Sequence, residues 1–121
     1  MSGDNYSTDS WIMEIFDGWF DPCPLNPNWT VDGLSSDLRW PNRTFVNPPY
    51  SNPTPWIVKA IEENKLGSTI ALLLKHDVST KAYALLHSAK AHILLVNQRL
   101  KFNTGKACAF PSMIAILSGQ D

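Results

Sequence analysis

The residues best suited to chemistry are Asn47, Pro48, Pro49 and Tyr50, which directly follow the hydrophobic pair Phe45-Val46. The side-chain oxygen of Asn47 and the carbonyl of Pro48 could each accept one hydrogen of an exocyclic amine on a base. This would draw the amine nitrogen toward a tetrahedral, more nucleophilic state, suited to methyl transfer onto that nitrogen. The prolines fix the backbone, and Tyr50 offers a flat ring on which an extruded base can stack.

The same four residues also have a purely structural interpretation. Asn47 would begin a rigid turn, the two prolines would stiffen it, and Tyr50 would pack on the core. The position of the motif favours the chemical interpretation, because it lies between a strand-like segment and a well-marked helix start. In that helix start, Thr54 is the expected cap and Pro55 the first helical residue.

Helix-like and strand-like segments alternate along the chain, which predicts crossover connections. We expect an α/β fold with a mostly parallel sheet and an antiparallel C-terminal edge. In such sheets ligands bind at the carboxyl ends of the strands, where Asp21-Pro22-Cys23 and Asn47 to Tyr50 are expected. The expected helices cover 9–16, 55–66 and a segment capped by Ser79, and the expected strands 19–21, 43–47, 68–74, 92–97, 99–103 and 112–118. The continuous apolar strand at 68–74 is expected to be covered on both faces.

The helix that begins near Thr54 has a clear apolar stripe. We expect Trp56, Ile57, Ala60 and Ile61 to be buried along it. Its charged residues are expected to face water, and these are Lys59, Glu62 and Glu63.

Length and composition limit the classes of protein to which the chain can belong. With 121 residues, of which 44% are hydrophobic, it can form one domain over 1–121 with no separate target-recognition domain. No apolar run is long enough to span a membrane, and the polar N-terminus does not resemble a signal peptide, so we expect a cytoplasmic location. Cys23 and Cys108 lie far apart and are expected to be reduced, and no metal site is expected.

The net charge of −1 hides a marked asymmetry along the chain. Residues 1–38 contain seven acidic residues and no Lys or Arg, whereas residues 39–121 contain all ten basic residues and four acidic ones. This division indicates two surfaces with different partners, one suited to a cationic ligand and the other to nucleic acid.

An ordered series of short motifs carries a family resemblance over nearly the whole chain. The series is Phe20 to Pro24, Asp32-Gly33-Leu34 leading to Trp40, Phe45 to Ser51 followed by Trp56 and Lys59-Ala60, Ala71 to Leu74, and Arg99-Leu100-x-Phe102. In this order the pieces resemble the phage-type Dam DNA N6-adenine methyltransferases, which use S-adenosylmethionine.

The resemblance implies a pared-down, Rossmann-like methyltransferase fold that acts on a flipped adenine in DNA. The Gly-x-Gly loop of larger methyltransferases is absent, and only about 22 residues separate Asp21 from the strand that leads to Asn47. Contacts to DNA would then come from short loops or from the second subunit of a homodimer. If the enzyme is encoded by a phage, it would act in the cytoplasm of the host cell.

The resemblance also assigns residues to the methyl donor. Asp21, with Pro22 and Cys23, occupies the position of the family's first cofactor motif, where a carboxylate suits the positively charged donor. Asp37 lies in the loop where related enzymes contact the donor's adenine or ribose, and its alternative role is to cap a helical turn. Thr8 and Ser10 match a further donor-binding segment, although the proline usual there is absent.

Basic and polar residues near the expected strand ends are candidates for DNA contact, because neutralising phosphates supplies most nonspecific affinity for DNA. Lys and Arg are also common on solvated surfaces, which is the alternative for each of them. The candidates are Arg39, Arg43, Ser51, Lys75, Arg99, Lys101 and Lys106.

Two further hypotheses stay open at this point. Asn-Pro-Pro-Tyr motifs also serve methylation of RNA amines and of protein amides, so the substrate can differ. The short chain could alternatively form an inactive domain that binds the donor or DNA without catalysis.

Overall fold

A computed structural model describes residues 10–24, 28, 30–49, 51–75, 80–96 and 112–119. It has a mixed α/β architecture in which three helices flank a four-stranded sheet. The elements are α1 (Ser10–Ile15), β1 (Thr44–Val46), α2 (Thr54–Lys65), β2 (Ile70–Lys75), α3 (Lys81–Ser88), β3 (His92–Leu95) and β4 (Ser112–Leu117). The expected strand at 99–103 and the expected Ser79 cap lie outside the described residues.

The strands lie in the order β1-β2-β4-β3. β1 pairs with β2 in parallel, while β4 pairs antiparallel with both β2 and β3. Phe20 extends the sheet beyond β1, because it forms a parallel bridge with Thr44. The Phe20 N–H donates to the Arg43 carbonyl at 3.0 Å, and the Phe45 N–H donates to the Phe20 carbonyl at 2.8 Å.

The expectation of a mostly parallel sheet is not met among the described strands, since two of their three pairings are antiparallel. The antiparallel strand β4 is also not an edge, because it lies between β2 and β3. β1, β2 and β3 nevertheless run in one direction. Because the single reversed strand β4 lies between β2 and β3, two antiparallel pairings take the place of one parallel pairing.

Alternate residues of the strands pack on opposite faces of the sheet. On one face, Ile70, Leu72 and Leu74 join Ile57 of α2 and Leu86 of α3 in one buried cluster. On the other face, a second cluster is built by the residues that alternate with these, together with α1: Ile12, Phe16, Phe45, Ala71, Leu73 and Ile114. β2 is therefore covered on both sides, as its continuous apolar sequence predicted.

α1 packs through fewer residues than its sequence suggested. Ile12 and Phe16 are buried, and the Phe16 ring stacks on Phe45 with ring centres 4.5 Å apart. Trp11 and Ile15 are exposed although both are apolar. One pair spaced by four residues therefore holds this short helix on the sheet.

The two longer helices begin near their predicted positions but differ in their caps. α2 starts at Thr54, yet the capping residue is Pro53 and no side chain caps the helix. Thr80 caps α3, because its side-chain oxygen accepts a hydrogen bond from the Tyr83 N–H at 3.1 Å. Each of these helices follows a strand along the chain, since α2 follows β1 and α3 follows β2.

The face of α2 that was expected to be solvated is partly covered. Lys59 and Glu63 are buried, whereas Glu62 is exposed as predicted. Residues 32–40, which form two consecutive turns before β1, run along α2 and cover this face. A helical periodicity read alone cannot indicate such a covering segment, because it carries no information about contacts across the chain.

Candidate active site at the carboxyl end of β1

Asn47 and Asp21 leave the sheet at the same end. Phe20 pairs in parallel with Thr44, so the residues after Phe20 run in the same direction as the residues after Thr44. Asp21 follows the residue that pairs with the start of β1, and Asn47 follows the last residue of β1. The two motifs therefore leave neighbouring parallel segments in the same direction.

The three described residues of the motif follow β1 directly and belong to neither a helix nor a strand. Pro48 is buried, while Asn47 and Pro49 are half-buried. The Asn52 N–H donates to the Pro49 carbonyl at 3.2 Å, which leaves the Pro48 carbonyl outside this turn bond. Neither proline has an N–H to donate, so the backbone here presents acceptors. Tyr50 lies outside the described residues, and its stacking role stays a prediction.

Asp21 begins a tight turn that its own side chain stabilises. The carboxylate accepts a hydrogen bond from the Cys23 N–H at 2.9 Å. Burial raises the pKa of the Asp21 carboxyl, and the bond from the Cys23 N–H acts against this change. A partly desolvated carboxylate gains from a nearby cation, because the cation favours the charged form of the carboxyl group.

Cys23 lies in the same turn and packs against the cluster under α2. Burial, together with the negative charge of Asp21, raises the pKa of the Cys23 thiol to about 11. The thiol is therefore protonated at neutral pH and acts as a packing group.

We expect iodoacetamide to alkylate Cys23 in the folded chain about a hundredfold more slowly at pH 8 than in the unfolded chain, since the thiolate is the reacting form. Peptide mass mapping measures this site separately from Cys108, with the urea-unfolded chain as the reference. Equal rates in the folded and unfolded chains would contradict the raised pKa.

A cavity of about 250 Å³ lies at the carboxyl end of β2. Its polar lining comes from Lys75 and from the first residues of α2 and α3, and its apolar lining includes Leu74 and Met113. Lys75 and Lys81 are both exposed at this opening. The cavity therefore combines positive charge with an apolar floor on the side of the sheet that bears α2 and α3.

A buried ionic network joins α2 to the 32–40 segment. Glu63 accepts hydrogen bonds from the Arg39 side chain at 2.9 Å and from the Trp40 N–H at 2.7 Å. Lys59 donates to the carbonyls of Ser35 and Leu38 at 2.9 and 2.5 Å, and its amine lies 3.9 Å from the Glu63 carboxylate. Burial by itself would raise the pKa of Glu63, but the bonds from Arg39 and Trp40 and the nearby positive charges lower it overall.

The described DNA candidates fall into two groups. Lys75 is the last residue of β2, and Ser51 follows β1, as Asn47 does. Arg39 and Arg43 lie before β1, at the opposite end of that strand, and Arg39 is paired with Glu63. Arg99, Lys101 and Lys106 lie outside the described residues.

Two of the remaining donor candidates, Asp37 and Ser10, lie in the described residues. Asp37 is exposed in the 32–40 segment, between the two residues whose carbonyls bind Lys59. Ser10 is the first residue of α1, and Thr8 lies outside the described residues. Sequence reasoning missed Lys59 and Glu63 as organising residues, although their spacing of four on a helix was a usable signal for a pair.

Comparison with known proteins gives the family. The sequence model for "DNA N-6-adenine-methyltransferase (Dam)" matches residues 3–113. The chain belongs to the Dam family. It is also similar to a DNA N-6-adenine-methyltransferase of Haemophilus phage HP1 (strain HP1c1), with 30% identity over 114 residues. This match covers 82% of the chain and 66% of the phage protein, so the chain spans just under two thirds of that relative's length.

The match to the Dam family model covers residues 3–113, a range that includes Asp21 and Asn47. S-adenosylmethionine is the usual methyl donor of methyltransferases. The turn at Asp21 fits such a group chemically, because its half-buried carboxylate can oppose a positive charge. None of the helices in the described ranges is long and apolar enough to cross a membrane.

Proposed function

We propose that this chain transfers a methyl group from S-adenosylmethionine to the N6 amine of adenine in DNA. One observation carries the proposal: in a chain of the Dam family, Asp21 and Asn47 follow neighbouring parallel segments of the sheet that run in the same direction. One of these residues suits an amine and the other suits a cation. Their common end of the sheet is where open α/β sheets bind ligands.

The turn at Asn47 would hold the amine of a flipped adenine. The Asn47 side-chain oxygen and the Pro48 carbonyl each accept one N6 hydrogen, which raises the nucleophilicity of the nitrogen before attack. No strong base is required, because the proton leaves after the nitrogen has become cationic. The contribution of these two residues is alignment and fixed acceptor dipoles, in the manner of other preorganised sites. Tyr50 would stack on the flipped base.

The turn at Asp21 would bind the donor. S-adenosylmethionine supplies the methyl group from its positively charged sulfonium. Asp21 orients the cationic donor through its carboxylate, and the neighbouring Pro22 and Cys23 shape the apolar wall of the same turn. Asp37, Thr8 and Ser10 remain predictions for further donor contacts.

The finer description of the fold is also a proposal. We propose that the sheet is the core of a pared-down, Rossmann-like methyltransferase fold and that residues 1–121 form a single domain. The common direction of β1, β2 and β3 supports this, as do helices on both faces of the sheet. DNA contacts would come from short loops or from a second subunit in a homodimer, and the host cytoplasm is the expected place of action.

Incubation with isotopically labelled S-adenosylmethionine and mixed-sequence DNA, followed by nucleoside mass spectrometry, tests the activity. We expect label in N6-methyladenine and in no other nucleoside. Parallel reactions with RNA and with protein test the alternative substrates of the same motif. Calorimetric binding of the donor without turnover on any adenine-containing DNA would instead favour an inactive binding domain.

Lys75 is expected to contact a DNA phosphate at the cavity beyond β2. Replacing Lys75 with alanine should weaken DNA binding and reduce the slope of log K against log salt concentration by about 0.9, the value for one lost phosphate contact. Fluorescence anisotropy over a salt series measures the slope.

Lys65→Ala is the matched control, because this exposed lysine lies in the last turn of α2, away from the proposed site. An unchanged slope in Lys75→Ala, or the same loss in both variants, would exclude a specific phosphate contact at Lys75.

A further inference from the structure

Gly33 belongs to the 32–40 segment and lies close both to Pro22, in the turn after Asp21, and to Trp56 of α2. A β-carbon on this residue would overlap the Pro22 carbonyl oxygen on one side and would lie 2.7 Å from the Trp56 ring on the other. Gly33 is itself buried, as is Pro22. Only a residue without a side chain therefore fits between the turn that contains Asp21 and the first turn of α2.

The 32–40 segment that carries Gly33 is held firmly against α2. The Gly33 carbonyl accepts a hydrogen bond from the Trp40 indole N–H at 3.0 Å, and the Trp40 side chain is fully buried. Farther along, Lys59 and Glu63 bind four groups of the segment. A side chain at position 33 therefore cannot be accommodated by moving the segment toward α2.

We propose that Gly33 is a positioning residue for methyl-donor binding, because it sets how closely the Asp21–Cys23 turn approaches α2. This inference rests on the proposed function of Asp21 in binding the donor. Gly33 acts through the backbone of Pro22, the residue that directly follows Asp21. With a side chain at position 33, the turn is the part that moves, and the Asp21 carboxylate moves with it.

A second glycine provides a matched control. A β-carbon on Gly119 would overlap the Gly67 carbonyl oxygen as closely as one on Gly33 overlaps that of Pro22. Gly119 follows β4, whose end pairs with the start of β2, so it lies at the opposite end of the sheet from Asn47. The two substitutions introduce the same steric conflict at places that differ in their relation to the site.

The experiment measures S-adenosylmethionine binding by calorimetry in the full chain and in Gly33→Ala and Gly119→Ala, at a temperature where circular dichroism shows all three folded. We expect Gly33→Ala to raise the donor Kd about tenfold or more, because displacements near 1 Å are costly at such sites. Gly119→Ala should lower the unfolding temperature comparably but leave the donor Kd unchanged. DNA affinity should stay unchanged in both.

Two further readouts separate positioning from general damage. Gly33→Ala should alter the alkylation rate of Cys23 in the absence of any donor, and Gly119→Ala should not. Adding Trp56→Phe removes the ring atoms nearest to position 33, so the double variant should recover part of the donor affinity.

The possible failures are distinguishable. Equal donor binding by Gly33→Ala and the unaltered chain would overturn the positioning role alone, as would equal weakening of donor binding in Gly33→Ala and Gly119→Ala. Absence of donor binding by the unaltered chain would overturn the proposed function and, with it, this role of Gly33. If Gly33→Ala does not fold while Gly119→Ala does, the double variant Gly33→Ala/Trp56→Phe replaces Gly33→Ala in the experiment. The positioning role would then be overturned if the double variant showed both the donor Kd and the Cys23 alkylation rate of the unaltered chain.

Discussion

Asn47→Ala is expected to lower methyl transfer to adenine by roughly a thousandfold, the upper range for removing one preorganised polar group from an active site. The alanine has no oxygen to accept an amine hydrogen, so the adenine nitrogen loses both activation and alignment. The substitution should cost no more than about 1 kcal/mol of folding stability, the usual value for one hydrogen-bonding group. Single-turnover kinetics with saturating donor and DNA measures the loss at the chemical step.

Two companion variants make this result specific. Asn52→Ala removes the same side chain from an exposed position five residues later, and it should retain nearly full activity. Asn47→Asp keeps an acceptor oxygen and should recover part of the lost rate. Donor affinity, measured by calorimetry, should be unchanged in Asn47→Ala. Normal methylation by Asn47→Ala would show that the proposed mechanism is wrong.

Glu63→Ala is expected to destabilise the fold by about 3–5 kcal/mol, the usual cost of removing one partner from a buried ion pair. Its carboxylate accepts hydrogen bonds from Arg39 and from the Trp40 N–H. Without it, the buried Lys59 amine loses its nearest negative charge. The Arg39 side chain is 61% exposed and can be solvated, so the largest losses fall on Trp40 and Lys59. Urea unfolding monitored by tryptophan fluorescence measures the change.

The neighbouring residue supplies the control for this prediction. Glu62 lies on the same helix and is exposed, so Glu62→Ala should change stability by less than about 0.5 kcal/mol. A similar, small effect in both variants would contradict the organising role of the Glu63 network.

The same network predicts a pH dependence. The folded state lowers the pKa of Glu63 from its ordinary value of 4.5, so the stabilisation is present above that value and is lost as the pH falls through the folded pKa. Glu63→Gln retains an acceptor oxygen but does not titrate. We therefore expect its stability to fall less steeply below pH 4.5 than that of the unaltered chain. Parallel slopes in the acid range would contradict this assignment.

Short sequence patterns located individual helices and strands well. Pro55 marked the start of α2, and the continuous apolar run at Ile70–Leu74 correctly indicated a strand covered on both faces. The caps were less predictable, since Pro53 and not Thr54 occupies the cap position of α2, and Thr80 caps α3. Several residues can supply a cap within one turn, and the choice depends on the path by which the chain enters the helix.

The sheet topology lay beyond local patterns. The alternation of strands and helices correctly indicated an α/β fold and gave β1, β2 and β3 a common direction. It did not indicate that β4 would insert between β2 and β3. Strand order is decided by which apolar faces bury each other, and that depends on contacts far apart in the sequence.

The sequence by itself determined the chemistry that this protein can offer. The oxygens of Asn47, Pro48 and Asp21 are fixed by residue type, and the short spacing in each motif fixes their local arrangement. Tertiary structure decided how the two motifs are oriented, because the parallel bridge of Phe20 with Thr44 makes the segments that lead to Asp21 and Asn47 run in the same direction. It also turned Lys59 and Glu63 inward, since their burial is tolerable only where the 32–40 segment supplies partners for both charges.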